Sequence, residues 1–381
     1  MIDIQPHSYR LVSQDDDDKH FNSQHDEERL GCSVGPWWER QRTCLRIKRL
    51  RKSTILLLLL DVLIVVLLIH TLEPLITLLQ RNEELFKPRV SLQGTDGLSD
   101  LHEVNGTKRI PRILHQTAAT DVIPDKWVES QKSCKEAYGD FEYKLWTDAS
   151  TRDFLSDNYP WFVDVWDNYA FPIQRADSLR YFILYHYGGI YLDMDTWCNR
   201  SVPIDRLESD HEYALFKSTK PTGVTNDFMI TTARHPVYAA AIAKLPAYNS
   251  ITRAWARWQP YCAIMIASGP MFLTLVAKDY LLQQSSIPSP TIGVVNATEL
   301  HPFIMDLESA SWHQADAETL MWLGTRPWTW FTMGAVVLGL YLYVLNRVLM
   351  ALFECLLCKT SFGLGNLKVT KGWWKLKRWA Y

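Results

Sequence analysis

Two long apolar runs bracket this chain and limit what the rest of it can become. Thr54–Leu72 holds a single charged residue, Asp61, and is long enough to cross ~30 Å of hydrocarbon as a helix. Trp328–Phe353 is a second such run. It opens on Trp328-Thr329-Trp330, indoles suited to a membrane interface, and carries Asn346 and Arg347 near its end. Both runs are expected to span a bilayer, with Asp61 facing a partner helix or a polar cavity because a carboxylate in lipid is costly. Arg40, Arg42, Arg46, Lys48, Arg49, Arg51 and Lys52 precede the first run; Lys359, Lys368, Lys371, Lys375, Lys377 and Arg378 follow the second. The positive-inside bias then makes both termini cytosolic and residues 73–327 lumenal. The sequons Asn105-Gly-Thr107, Asn199-Arg-Ser201 and Asn296-Ala-Thr298 all fall in that middle part, consistent with the same orientation. Asn199 follows Asp195 so closely that it is read as unmodified.

The expected organisation is a charged, disordered tail (1–53) that includes the Asp15–Asp18 run before Lys19, then a span (54–72) and a stem and linker (73–108). The lumenal domain covers 109–327, followed by a second span (328–353) and a basic tail (354–381). A net charge of −2, with no basic stripe interleaved with aromatics, argues against nucleic acid as a partner. Of seven cysteines, Cys134, Cys198 and Cys262 are lumenal and allow at most one intrachain disulfide, so this is no disulfide scaffold. Cys355 and Cys358 have the spacing of half a zinc site without its second pair; acylation at a membrane boundary and inert thiols are the alternatives.

Within the middle part, strands alternate with helices. Ile110–Thr117 and Tyr143–Trp146 read as short strands, and Asp125–Ala137, Thr151–Asn158 and Trp161–Asn168 as helices. Pro172 opens a longer helix through Tyr187, with Gly188 as its cap. Tyr187-Gly188-Gly189-Ile190-Tyr191-Leu192-Asp193-Met194-Asp195 then runs from that helix through an apolar strand into two carboxylates. Alternation along a strand would turn Asp193 and Asp195 to the same side, where two hard oxygen donors suit a divalent cation held against a phosphorylated ligand. Asp177 and Arg180, three apart on the preceding helix, share a face; in isolation they would be a surface ion pair, whereas a short Gly-Gly connection brings them near the carboxylates. Arg175 points to another side. Asn226 and Asp227 read as hydrogen-bonding groups in a loop, Ser268-Gly269-Pro270 as the turn opening a helix over Met271–Leu282, and His313 as a possible third metal ligand. Each strand ends in a polar cluster, the pattern of an open Rossmann-like α/β sheet binding ligand at its strand ends.

As an ordered set, Ile110–Thr117, Leu145–Asp148, Gln174–Tyr181, Gly188–Asp195 and Thr225–Met229 resemble glycosyltransferase family 32, the Asp-x-Asp sugar-binding group, over roughly 109–316. Within it the similarity is to fungal enzymes that mannosylate inositol phosphorylceramide. The resemblance implies a GT-A-type domain flanked by two transmembrane helices, with retaining transfer of mannose from GDP-mannose to inositol phosphorylceramide. It also implies Mn2+, a Golgi membrane and a small regulatory membrane subunit as partner. By position, it makes Asp193 and Asp195 ligands of metal and nucleotide sugar, and Asp177 and Arg180 contacts to donor sugar and phosphate. His115 and Gln116 fall at the nucleotide, Asn226 beside the donor, and His313 in a loop over the metal. Asp227 is the candidate base, should the leaving phosphate not take the acceptor proton itself. Two positions depart from the pattern: Ala118 stands where an aromatic residue is usual, and Ala310 where a glycine is. The competing readings are an α-1,6-mannosyltransferase of protein-linked glycans and a non-catalytic membrane subunit of the same fold. The second apolar run speaks against the former, and the retained Asp177, Arg180, Asp193 and Asp195 against the latter.

Overall fold

The structure, a computed structural model, describes residues 37–92, 109–207, 210–220, 222–307, 315–324 and 326–369. His313 and its loop, Ala310, Asn105 and the Asp15–Asp18 run lie outside the described residues. The chain separates into two units, Met1–Leu59 and Leu60–Tyr381; of the first, the described part is the start of helix α1.

Helix α1 (Trp37–Phe86) is continuous. Its portion from Lys52 is apolar enough to cross a bilayer, with no buried residue in its most apolar stretch, yet Leu78, Leu85 and Phe86 near its end are core residues. The segment expected as a stem is thus helical and partly internal, and Asn82 Oδ1 accepts the Gly223 N–H at 3.2 Å. There follow β1 (Ile113–Thr117), α2 (Asp125–Ala137), β2 (Glu142–Trp146), α3 (Asp148–Asn158), α4 (Pro160–Asp167), α5 (Pro172–Tyr187), β3 (Gly189–Leu192) and β4 (Thr196–Cys198). After these come β5 (Ala214–Ser218), β6 (Val224–Thr231), α6 (Pro236–Arg253), α7 (Pro260–Ala267), α8 (Pro270–Leu282) and β7 (Ile292–Val295). The chain closes with α9 (Ala297–Leu300), β8 (Ile304–Asp306), α10 (Ala315–Gly324) and α11 (Pro327–Val369).

The central sheet has the order β2-β1-β3-β6-β5-β7. β1 pairs in parallel with β2 and β3, β5 in parallel with β7, and β6 runs antiparallel between β3 and β5. The carboxyl ends of β1, β2, β3 and β5 therefore share one edge with the amino end of β6. Strand alternation sorts the core to the two faces. Tyr191, Phe216 and Met229 pack with α5, α6 and α8, whereas Ile190, Leu192, Phe228 and Ile230 pack with Cys134 and Tyr138 of the α2 side. A disulfide joins Cys134 to Cys198, and Cys262 is free.

Among the described residues, three helical runs are long and apolar enough to cross a membrane: Lys52–Phe86, Pro260–Leu282 and Trp328–Phe353. The middle one is mostly buried against the sheet and is broken at Ser268-Gly269 between α7 and α8. Burial supplies its reason for being apolar. Asp61 of the first run meets Asn346 of the last, whose Nδ2 donates to Asp61 Oδ2 at 2.8 Å.

Gly188 (φ 69°) and Gly189 (φ 95°) make the tight passage from α5 to β3. A Cβ at Gly189 would lie 2.5 Å from the Ile113 carbonyl oxygen and one at Gly188 2.6 Å from the Ala233 nitrogen, so no other residue fits without moving backbone. This passage lays α5 antiparallel along β3 and carries its amino-terminal half to the strand's carboxyl end.

Candidate active site

β3 ends at Leu192, and the two carboxylates meet by a turn, not by strand alternation. Thr196 N–H bonds back to the Asp193 carbonyl at 3.1 Å, so Met194 and Asp195 sit in a reverse turn leading into β4. The alternation argument therefore fails at Asp195, because the strand has already ended. The turn still brings both side chains to one cavity of about 330 Å3 at the sheet edge.

Asp193 is oriented from three directions. Tyr191 donates its hydroxyl to Asp193 Oδ1 at 2.7 Å, Arg180 Nη1 lies 3.3 Å from the same oxygen, and Gln116 Nε2 reaches the Asp193 carbonyl at 3.4 Å. Burial pushes its carboxyl up to about 7, with Arg180 opposing and the neighbouring Asp195 and Asp227 reinforcing the shift. Its side chain remains 30% exposed on the cavity side.

Arg180 is buried, which removes it from the class of surface ion pairs. Nη2 pairs with Asp177 Oδ1 at 2.8 Å, Nη1 donates to the Asn226 carbonyl at 2.6 Å, and the guanidinium stacks 4.6 Å over Tyr191. Asp177 in turn accepts from Asn226 Nδ2 at 3.1 Å; burial raises its carboxyl to about 6 against the pull of Arg180 and Asn226. Asp177 and Asn226 thus hold Arg180 and are absent from the cavity wall.

Asn226 and Asp227 belong to β6 and not to a loop. Their polar side chains disguised a strand whose amino end lies at the ligand edge, where polar groups are expected. Asp227 N–O pairing with β3 is direct: its carbonyl accepts the Asp193 N–H at 3.0 Å. Its carboxylate is held by Thr225 and by Lys217, whose ammonium also contacts Asp306 Oδ2 at 2.6 Å. Burial lowers the affinity of Lys217 for its proton, but the two carboxylates outweigh that and raise it above the usual lysine range.

His115 does not reach the cavity. Trp146 Nε1–H donates to its Nδ1 at 3.1 Å, which places the ring proton on Nε2, donated to the Gly188 carbonyl at 2.9 Å. Burial pushes its pKa down to about 4, so the ring is a neutral strut across the α5–β3 passage. Gln116 is likewise buried beneath the site, accepting from the Tyr143 hydroxyl at 3.0 Å.

The sequence reading missed Lys217, Tyr191, Asp306 and the aromatic wall. Trp127, Trp146 and Trp166 line the cavity together with Ala118 and the carboxylates. They furnish flat apolar surface beside the position where an aromatic was expected and is lacking. Arg175 also lines it, pairing with Asp148 at 2.8 Å and lying 5.3 Å over Trp166. Trp127 Nε1, Arg175 Nε and Arg180 Nε are buried without hydrogen-bond partners. Three orphaned donors around one cavity call for a ligand rich in acceptor oxygens.

Among the described residues, no three His, Cys, Asp or Glu side chains gather into a complete metal shell. Asp193 and Asp195 are nonetheless a donor set suited to a hard divalent cation that takes its other ligands from phosphate and water. Burial raises the Asp193 carboxyl, and the repulsion from Asp195 that adds to it is the charge such an ion would offset.

Residues 124–214 match the family described as a glycosyltransferase sugar-binding region containing a DXD motif. The chain is 37% identical over 235 residues to inositol phosphoceramide mannosyltransferase 2 of Schizosaccharomyces pombe, covering 59% of this chain and 64% of that one. With the mannosyl phosphorylinositol ceramide synthase SUR1 of Saccharomyces cerevisiae it shares 35% over 269 residues, covering 69% and 65%. With inositol phosphoceramide mannosyltransferase 1 of S. pombe it shares 32% over 236 residues, covering 61% of this chain and 72% of that one. The chain belongs to this DXD-containing glycosyltransferase family. The match spans just under two thirds of the length of the first two relatives. The DXD of the family name corresponds here to Asp193-Met194-Asp195, the turn at the edge of β3.

Proposed function

We propose that this chain is a membrane-bound, retaining mannosyltransferase of the GT-A type. It moves mannose from GDP-mannose to inositol phosphorylceramide at the lumenal face of a Golgi membrane, in company with a small regulatory membrane subunit. The observation that carries the reading is the make-up of the cavity lining: two carboxylates, three indoles, and side chains of Trp127, Arg175 and Arg180 that each hold a buried N–H without a partner. A nucleoside diphosphate sugar has matching parts, with acceptor oxygens on its phosphates and a flat base. The names of the relatives supply the donor sugar and the lipid acceptor. The two exposed apolar helices suit an acceptor that never leaves the bilayer.

Asp193 and Asp195 would hold the divalent cation, Mn2+, which when bound supplies positive charge against the diphosphate. Arg180, fixed by Asp177 and Asn226, presents its guanidinium to the phosphate oxygens, where negative charge grows as the bond breaks. The sugar C1–O bond to the β-phosphate breaks and a bond from an inositol hydroxyl to C1 forms on the same face. The hydroxyl proton passes to the departing phosphate oxygen. Asp227, tied to Lys217, orders this edge of β6 next to the reacting groups.

Purified protein supplied with GDP-mannose, Mn2+ and either inositol phosphorylceramide or a protein-linked glycan tests the proposal. Mannose is expected on the lipid. Asp193→Ala and Asp195→Ala should each lower turnover by at least about 100-fold while the protein melts as a folded, membrane-inserted species. Normal turnover in either variant, or mannose on the glycan alone, overturns the assignment.

A further inference from the structure

The connection between α6 and α7 carries an exposed aromatic and basic surface that the cavity does not use. α6 ends at Arg253, and residues 254–258 form turns before α7 opens at Pro260. Backbone bonds from Trp255 N–H to the Thr252 carbonyl (3.2 Å) and from Trp258 N–H to the Trp255 carbonyl (2.9 Å) make it an ordered scaffold. On this scaffold Trp258 is 87% exposed and Ile251 64%, with Arg253 and Arg257 also at the surface. Indole and aliphatic side chains flanked by guanidiniums suit a membrane interface, where rings settle at headgroup depth and arginine meets phosphate. Single exposed apolar residues are ordinary on any protein, so placement has to decide.

Two tethers give the placement. Tyr261, three positions after Trp258, donates its backbone N–H to Asp316 Oδ2 of α10 at 2.8 Å. α10 carries Trp322, 52% exposed, and ends at Gly324, shortly before the apolar helix α11 opens at Pro327. Asp316 and Trp322 are separated by only about 9 Å of helix. At the other end, Lys278 of α8 donates to the Pro74 carbonyl of α1 at 3.3 Å, just beyond the most apolar part of that helix. The α7–α8 layer is therefore fastened to α1 directly and to α10, the helix that precedes α11. It packs on the sheet face opposite α2.

We propose that Ile251, Trp258, Arg253 and Arg257 form a third membrane contact, seated among the anionic headgroups of the bilayer that α1 and α11 cross. The proposal rests on the reading that these two helices span a bilayer. Two helices alone leave the domain free to rock about the line joining them. A third point away from that line fixes the height and tilt of the cavity over a lipid acceptor.

The test uses the full chain in nanodiscs of phosphatidylcholine and phosphatidylinositol, with a photoreactive amino acid placed at position 258, at 251, or at 136 on the opposite side of the sheet. Lipid adducts at 258 and 251 are expected to exceed those at 136 by about tenfold. Each labelled protein is first shown to melt like the unlabelled one and to resist alkaline carbonate extraction. Equal adducts at all three positions in carbonate-resistant protein overturn the contact while leaving the spans intact. Adducts to a protein subunit in place of lipid at 258 also overturn it. Release by carbonate overturns the spanning reading, and this proposal with it.

Discussion

Lys217 stands alone as a charge in the β5 sequence Ala-Leu-Phe-Lys-Ser, and its two carboxylate partners lie 10 and 89 residues away. The anomaly was visible in the sequence, since a lysine inside an apolar strand needs a partner. The partners were not, because only the antiparallel entry of β6 and the β4–β8 pairing bring Asp227 and Asp306 to it. Lys217→Met leaves Asp227, 23% exposed, and Asp306, 44% exposed, facing each other without a cation. The expected cost is about 2 kcal/mol, less than for a fully buried pair because water reaches both acids. Lys217→Arg should recover most of it; a Met variant that melts like the parent contradicts the bridge. His235 offers a separate check by pH. Its Nε2 bonds the Thr291 carbonyl at 3.0 Å and its Nδ1 accepts the Val237 N–H, and burial lowers its pKa to about 4. The unfolded chain therefore binds this proton near pH 6.5 and the folded one only near 4. The neutral ring contributes its full stability above pH 6.5 and loses it as pH falls toward 4. The stability gap between the parent and His235→Gln should then shrink by about 3 kcal/mol between pH 7 and 4, read from paired denaturant titrations. A gap independent of pH would mean the ring is charged in the fold or exposed.

At the scale of elements, boundaries marked by strong local chemistry were legible. α2 falls on Asp125–Ala137 and α5 on Pro172–Tyr187, the latter because a proline that starts a helix and a glycine that ends one act within a turn. β6 was hidden, since Thr225-Asn226-Asp227 has loop composition and becomes strand only through pairing with β3 and β5. The reverse turn at Met194 was equally hidden: the carboxylates were legible as a pair, but the way they meet depends on β4, a strand of three residues paired to β8. The Cys134–Cys198 disulfide closes this region, with a sequence separation of 64, and ties α2 to β4. Because Trp127 sits on α2 and β4 follows Asp195, the bond braces two walls of one cavity. Cys198→Ser is expected to cost about 3 kcal/mol, a fall of roughly 6–12 °C in melting temperature, and reductant should lower the parent to the same value. A parent that melts alike with and without reductant, with its thiols shown to be free, would mean the bond contributes nothing.

Across the whole molecule, the two bracketing apolar runs were the plainest signal, and yet their lengths exceed what hydropathy marks. α1 continues past its apolar stretch to place Leu78, Leu85 and Phe86 in the core, so the first run is joined to the domain without a flexible break. Sequence could call for a partner for Asp61 but could not select Asn346, 285 residues away. Inside otherwise apolar helices this pair is a directional contact between α1 and α11. Asp61 Oδ1 and Asn346 Oδ1 are buried without partners, so each side chain depends on the other for the one bond it makes. Asn346→Leu strands the Asp61 carboxyl among apolar side chains and should destabilise the detergent-solubilised protein by about 1–2 kcal/mol. Adding Asp61→Leu removes the stranded group, and the double variant should regain most of the loss in the temperature at which monodisperse protein disappears. Strictly additive losses would instead mean that the two residues act on separate helices, with no clasp between them.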